Sequence, residues 1–399
     1  MSIDPVRIGD CINCNPTIKL DKGQLYPVID IDKIEAGKKY VRNKDVAIFS
    51  GQGGSRFENG DTLMARITPC LENGKIAQAA ISGKGFGSTE LFVFRGVDGV
   101  TDNDFVYYLF RQQHIRALAV NSMTGASGRQ RADLKFIKRI KIELPSISDQ
   151  QTIASILSNY DNLIENNTKR IHLLEQMAEN LYKEWFVRFR FPGYADIKFE
   201  NGIPEGWHIS RLEDYGRIET GKTPSMEKSE FYGGDILFIK TPDMHDNMFV
   251  TQTNETLSCL GHNTQPNKLL PKYSIMVSCI GSGGIVAINA EEGHTNQQIN
   301  SIILSDIRDL EWLYYTCKFL KPTIELFGAT GATMTNLSKR KFEKLKVIKP
   351  PKNIRLLFHK NTNRIFKLIL SLVKQNTILI KQRDLLLPRL MSGKLKVTE

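Results

Sequence analysis

The chain has no apolar run long enough to cross a bilayer. Its greasiest stretch, Phe366 to Val373, is broken by Lys367 and Ser371 and falls far short of the roughly 18 residues a spanning helix needs, so no membrane partner is expected. Cysteine is sparse. The six residues Cys11, Cys14, Cys70, Cys259, Cys279 and Cys317 are scattered, and the opening MSIDPVRIGD has neither the basic nor the apolar segment of a secretory leader. The expectation is a reducing, cytoplasmic setting. Cys11-x-x-Cys14 is a single half-pair with no second CxxC or HxxxH to complete four tetrahedral ligands, so zinc is not expected.

Catalytic signatures are also missing. Pro242-Asp243 has no downstream Asp/Glu-x-Lys to complete a nuclease carboxylate set, and two-metal hydrolysis requires several converging carboxylates. No Asn-Pro-Pro-aromatic or Asp-Pro-Pro-aromatic tetrapeptide and no glycine-rich strand-turn-helix speaks for S-adenosylmethionine, and the seven histidines form no triad-like grouping. One motif does match. Gly216 to Thr223 satisfies G-x-x-x-x-G-K-[ST] letter for letter, but a phosphate loop must open a helix, and here Pro224 and a polar run follow at once.

What the chain does have is positive charge and repetition. Net +11 in 399 residues with 41% hydrophobic residues describes a basic globular protein with enough apolar material for two domains. Asp104-Phe105-Val106-Tyr107-Tyr108, Thr124-Gly125-Ala126-Ser127 and the run Ile137, Ile140, Ile142, Pro145 reappear as Glu311-Trp312-Leu313-Tyr314-Tyr315, Thr330-Gly331-Ala332-Thr333 and Phe342, Leu345, Val347, Pro350, at offsets drifting from 207 to 205. Arg7-Ile8-Gly9-Asp10 answers Arg211-Leu212-Glu213-Asp214 at offset 204. The fold is therefore one unit used twice.

Each unit ends in a long helical pattern. Ile153, Ile156, Tyr160, Leu163, Asn167, Ile171, Leu174, Ala178, Leu181 and Trp185 follow at three- and four-residue steps, as do Ile354, Phe358, Asn361, Ile365, Leu368, Leu372, Gln375, Leu379, Gln382 and Leu386 until Pro388 is expected to stop the helix. At 1.5 Å per residue each is on the order of 50 to 60 Å long. So narrow an apolar seam predicts that the two helices pair, antiparallel, with Asn167, Asn361 and Gln375 fixing register; the alternative is that each packs alone on its own domain. The globular units read as mixed α/β. Strands are expected at Leu91 to Val97, Asp235 to Thr241, Tyr273 to Ile280, Ile285 to Ala290 and Ile299 to Leu304, and helices from Asp102 to Ala119 and after Asp309, with a linker from Phe191 to Trp207.

Donor-rich loops occupy matching places in the two units: Arg66 to Lys75 with Gly87 to Glu90, and Ser278 to Gly284 with His294 to Gln298. Arg, Lys, Asn and Gln can make bidentate contacts with base edges, and glycine admits backbone amides to phosphates. Because the frames match while the loops differ, the two units would read different sequences if both grip DNA alike.

Several motifs together resemble the specificity subunits of type I restriction-modification enzymes: Ala65-Arg66-Ile67-Thr68-Pro69-Cys70-Leu71-Glu72-Asn73-Gly74-Lys75, Ile203-Pro204-Glu205-Gly206-Trp207, Thr220 to Ser225, Thr295 to Asn300 and Leu387-Pro388-Arg389-Leu390-Met391-Ser392-Gly393. The resemblance spans essentially the whole chain, although the first unit starts at Arg7-Ile8-Gly9 without a Pro-Glu-Gly-Trp lead-in. It implies two target-recognition domains, 1–147 and 206–351, a central long helix at 148–190, a linker at 191–205, and a distal helix and tail at 352–399. Each domain would read half of a bipartite, asymmetric double-stranded DNA site. It implies assembly with two methyltransferase subunits and with restriction/translocase subunits, which would carry S-adenosylmethionine, ATP and Mg; no cofactor is expected on this chain.

The candidate DNA contacts are Arg66, Thr68, Glu72, Asn73, Lys75, Ser88 and Thr89 in the first unit, and Lys222, Thr223, Lys240, Ser282, His294, Asn296, Gln297 and Gln298 in the second. Two other classes stay open: an ATPase using Gly216 to Thr223, and a scaffold whose two heads bind proteins.

Overall fold

The structure, a computed structural model, describes residues 4–42, 44–126, 128–200, 202–328 and 335–395. The second copy of the Thr-Gly-Ala block, Thr330 to Thr333, lies outside the described residues. The chain forms two compact units, residues 1–166 with 377–399 and residues 167–376.

The unit built on residues 1–166 carries a five-stranded sheet in the order Ile12–Cys14, Leu91–Gly96, Thr62–Ala65, Ile76–Ala79 and Tyr40–Val41. All its pairings are antiparallel except the last. The unit built on residues 167–376 repeats this order and these directions with Gly216–Thr220, Ile299–Leu304, Ile275–Ser278, Val286–Asn289 and Phe249–Val250. The central strands are buried along their whole length, as in Thr62–Ala65 and Ile275–Ser278, which is why they read as continuous apolar runs rather than alternating ones. A smaller sheet also recurs: Leu25–Ile29 pairs with Val46–Ile48 and, parallel, with Lys84–Gly87, as Tyr232–Ile239 does with Glu255–Leu257 and Gly293–Thr295. The first unit adds Ser55–Glu58 to it. The strand expected to run to Thr241 stops at Ile239, because Thr241 to Met244 turn into a short helix with Asp243 accepting a bond from the Lys240 amide.

Behind each large sheet lies a mostly apolar helix, as burial between a sheet and further helices favours. Phe105 to Phe110 are all buried, as are Leu310 to Cys317. The single helix expected from Asp102 to Ala119 is two, Asn103–Arg111 and Gln113–Asn121, because Gln112 adopts extended backbone; its counterpart breaks at Leu320 into Leu310–Phe319 and Lys321–Gly328. The expected linker is packed: Phe191 is buried, its ring centroid 5.1 Å from that of Trp207.

The two long helices are Ile147–Tyr182, extended by a wider turn at Lys183–Val187, and Lys352–Met391. Pro388 does not end the second. Lacking an amide hydrogen, it forgoes one bond to Asp384 near the helix end, while Leu387, Leu390 and Met391 are buried and hold the last turn. The helices start alike. Gln150 donates to the Val100 and Pro145 carbonyls at 2.9 Å and accepts from the Asp102 amide, and Arg355, its counterpart, donates to the Pro350 carbonyl and ion-pairs with Asp309.

Within each unit the start of one long helix packs with the end of the other. In the first, Ile153, Ala154 and Leu157 share a core with Leu387, Leu390 and Met391, and Asp161 ion-pairs with Arg383. In the second, Tyr182, Trp185 and Phe186 pack edge-on against Phe358, and Asn167 donates to Gln375 at 2.9 Å and Asn376 at 3.0 Å. The helices are thus antiparallel partners. The buried polar positions on Lys352–Met391 are Arg355, Thr362 and Arg383, while the expected seam residues Asn361 and Gln382 are exposed. Contact with both a globular core and a partner helix widens the buried face and shifts it by about one position from a pure coiled-coil seam.

Candidate nucleic-acid interface

At one end of the first unit's large sheet, three separate segments meet. The Arg66 amide donates to the Glu90 carbonyl at 3.0 Å, and the Arg66 carbonyl accepts from the Ala132 amide at 2.8 Å. Arg131 is held by a reciprocal backbone pair with Thr124 and bridges to Ile67. Their side chains converge on Glu90. The Arg131 guanidinium donates to it through Nε at 3.0 Å and Nη2 at 2.6 Å, and Arg66 Nε lies 3.4 Å away. These cations, Arg131 first, hold the Glu90 carboxyl below its ordinary range, and Arg66 also stacks over Phe92 at 5.5 Å. Arg66 and Thr89 line a recess of about 370 Å³ with Asn15, Thr17, Ser55 and Arg56.

The structure therefore brings Arg66 and Thr89 to one recess, while Ser88 accepts the Glu90 amide at 3.1 Å and Thr68, two residues along from Arg66, donates to the Met123 sulfur. Glu72 and Asn73 are exposed beyond it, Asn73 lining a different cavity with Arg111, Arg116 and Asp384; Lys75 is turned to the Ile31 carbonyl at 3.0 Å. Spacing alone missed Glu90 as an organiser and Arg131 altogether. Their signal is long-range: the segments join only because the strands pair.

In the second unit the equivalent sheet end carries amides. Thr223 donates to the exposed Gln297 at 2.6 Å; Asn296 and Thr241 donate to Gln298, whose carbonyl accepts the Cys279 amide at 2.7 Å. Lys222 is exposed, with its carbonyl held by Gln265, and Ser282 is exposed on the neighbouring loop. Lys240 pairs with Glu255 over the Phe238 ring. Two expected contacts point inward instead. Asn296 is 8% exposed, and His294 is fully buried, bonded to His262 at 2.9 Å and facing Gln265; burial, then the neighbouring His262, lowers its pKa to about 4.

Gly216–Thr220 is a strand laddered to Ile299–Leu304, with no helix after it, and a Cβ on Gly221 would sit 2.2 Å from the Thr295 carbonyl. The backbone that a phosphate loop would turn toward a nucleotide is spent on the sheet. The Thr124–Arg131–Ile67 ladder has its counterpart in the pairing of Ile280–Gly281 with Thr335–Asn336. Arg66, Glu90 and Arg131 of one unit thus stand where Cys279, Gln298 and Asn336 stand in the other. One frame thus carries two different sets of side chains at matching positions, with Cys279 among them buried.

The comparisons with known proteins give the class. The family model described as the type I restriction modification DNA specificity domain matches twice, at residues 4–176 and 204–387. The chain belongs to that family, and its function is DNA recognition. It is 35% identical over 320 residues to the HindI specificity subunit of Haemophilus influenzae, covering 65% of this chain and 70% of that one. It is 28% identical over 317 residues to the MjaIX specificity subunit of Methanocaldococcus jannaschii, covering 76% and 71%. The S subunit of a type I restriction-modification system from M. genitalium superposes with a TM-score of 0.57 at 15% identity, over 97% of this chain and 96% of that one, and so shares the fold. Among the described residues no helix is long and apolar enough to cross a membrane.

Proposed function

We propose that each unit reads one half of a bipartite, asymmetric double-stranded DNA site, and that the chain thereby directs methylation and restriction by partner subunits. The observation that carries this reading is the exchange of Arg66, Glu90 and Arg131 for Cys279, Gln298 and Asn336 on one sheet topology. Two heads alike in both frame and side chains would read a symmetric site; heads alike in frame only read an asymmetric one. Lysine and arginine contacts to phosphates supply affinity that falls steeply with salt, and base-edge contacts supply the choice of sequence.

The long helices set the gap between half-sites. Apolar side chains left exposed on them, such as Leu173 and Met177 at 63% and 61% exposure, dock the methyltransferase subunits, which bring S-adenosylmethionine; restriction/translocase subunits bring ATP and Mg. The test is selection from a randomised duplex library by the full chain assembled with its modification subunits. Two different short motifs at a fixed separation are expected; a single motif, a palindrome or no motif overturns the reading.

A further inference from the structure

We propose that Arg131 reads a guanine in the half-site of the first unit, with Glu90 as the positioning residue that aims it. This rests on the DNA-reading function above and specifies its chemistry. A guanidinium has two usable edges. Glu90 takes the Nε/Nη2 edge of Arg131, and among the described residues no hydrogen bond engages Nη1. The outer Nη1/Nη2 edge therefore offers two parallel donors from a side chain that is 42% exposed. Two parallel donors match the O6 and N7 acceptors that guanine alone presents together in the major groove.

Preorganisation separates this arginine from an ordinary surface one. Its backbone is fixed by the reciprocal pair with Thr124 at 2.9 and 3.0 Å, and its guanidinium plane is fixed by a carboxylate gripping one edge, so little side-chain freedom is left to lose on binding. Arg66 completes the arrangement. It lies 3.4 Å from the same carboxylate, so one anion is shared by two cations and the cluster keeps a net positive charge toward an incoming duplex. The second unit has Asn336, Gln298 and Cys279 at these positions and no charged group among them, which makes it an internal control.

The experiment is the same library selection, run with wild type, Arg131→Lys and Glu90→Gln. Lysine keeps the charge and any phosphate contact but loses the fork, and glutamine cannot anchor two guanidiniums as a carboxylate does. Wild type is expected to require a G·C pair at one position of one half-site. Arg131→Lys should weaken that preference roughly 5- to 150-fold, Glu90→Gln should weaken it at the same position, and the other half-site should be recovered unchanged, which also shows that the variants fold. A half-site that Arg131→Lys alters at no position, or one whose altered position does not specify G·C in wild type, overturns the assignment while leaving two-headed reading intact. Failure of wild type to select any two-part site overturns both.

Discussion

Arg383 and Asp161 have side chains 2% and 3% exposed and are bonded to each other, and the Tyr108 hydroxyl donates to the same carboxylate at 2.6 Å. A charge buried that deeply is tolerable only with its partner present. Arg383→Ala leaves Asp161 with a hydroxyl in place of a cation, and a loss of about 3 to 5 kcal/mol in unfolding free energy is expected by denaturant titration; a loss under about 1 kcal/mol would show that water reaches the site. His294 makes the opposite electrostatic choice and is buried neutral. Its folded pKa of about 4 lies below the ordinary value of 6.5, so between these two values the unfolded chain binds a proton that the folded chain does not. Stability is therefore full above pH 6.5 and falls as the pH drops toward 4, by about 2 kcal/mol between pH 7 and 5. His294→Gln should remove this increment from the acid limb; an unchanged slope would place the titration elsewhere. Sequence reading offered His294 and Asn296 as donors to DNA because donor chemistry is visible in a sequence and side-chain direction is not. His294 lies within the Gly293–Thr295 strand and Asn296 just after it, and that stretch is buried on both faces.

At the scale of elements, the sequence marks the extent of a short apolar strand better than the internal breaks of an enclosed helix. Ile299–Leu304 begins and ends where β-branched residues predict. The helix after Asp102 is mostly apolar, so nothing in its pattern marks the break at Gln112. The long helices were legible as helices, but their buried positions were not, since Arg383 and Thr362 face inward while Gln382 and Asn361 face solvent. Asn167, a polar residue on the expected seam, is buried and donates across the helix pair. If paired helices set the half-site gap, their length is the adjustable quantity. Deleting seven facing residues from each removes two turns, roughly 10 Å, with only about 20° of rotation between flanking faces. The preferred gap in a selected library should then change, on the order of three base pairs, while the bases of both half-sites stay the same. An unchanged gap would detach spacing from the helices.

For the molecule as a whole, the repeat was written in the sequence and its manner of closure was not. The match of Arg7 to Arg211 and of Tyr107-Tyr108 to Tyr314-Tyr315 shows two copies, but no local pattern shows that residues 377–399 belong with the first copy rather than the second, which precedes them in the chain. That membership has a thermodynamic consequence. Leu387, Leu390 and Met391 fill the core containing Ile153, Ala154 and Leu157, and each such side chain contributes about 1.5 to 3 kcal/mol by leaving water. Arg383 and the Arg111–Asp384 pair add polar ties in the same unit. Removing Thr377–Glu399 should therefore unfold or loosen residues 1–166, although every residue of that globular sequence remains, and should leave the core of residues 167–376 intact. Hydrogen exchange read peptide by peptide checks this: protection is expected to fall at Phe105 to Phe110 and to persist at Leu310 to Cys317. Equal loss in both segments would mean that the two units fold as one cooperative body, and loss in neither would mean that the terminal helix is an ornament on a unit already complete.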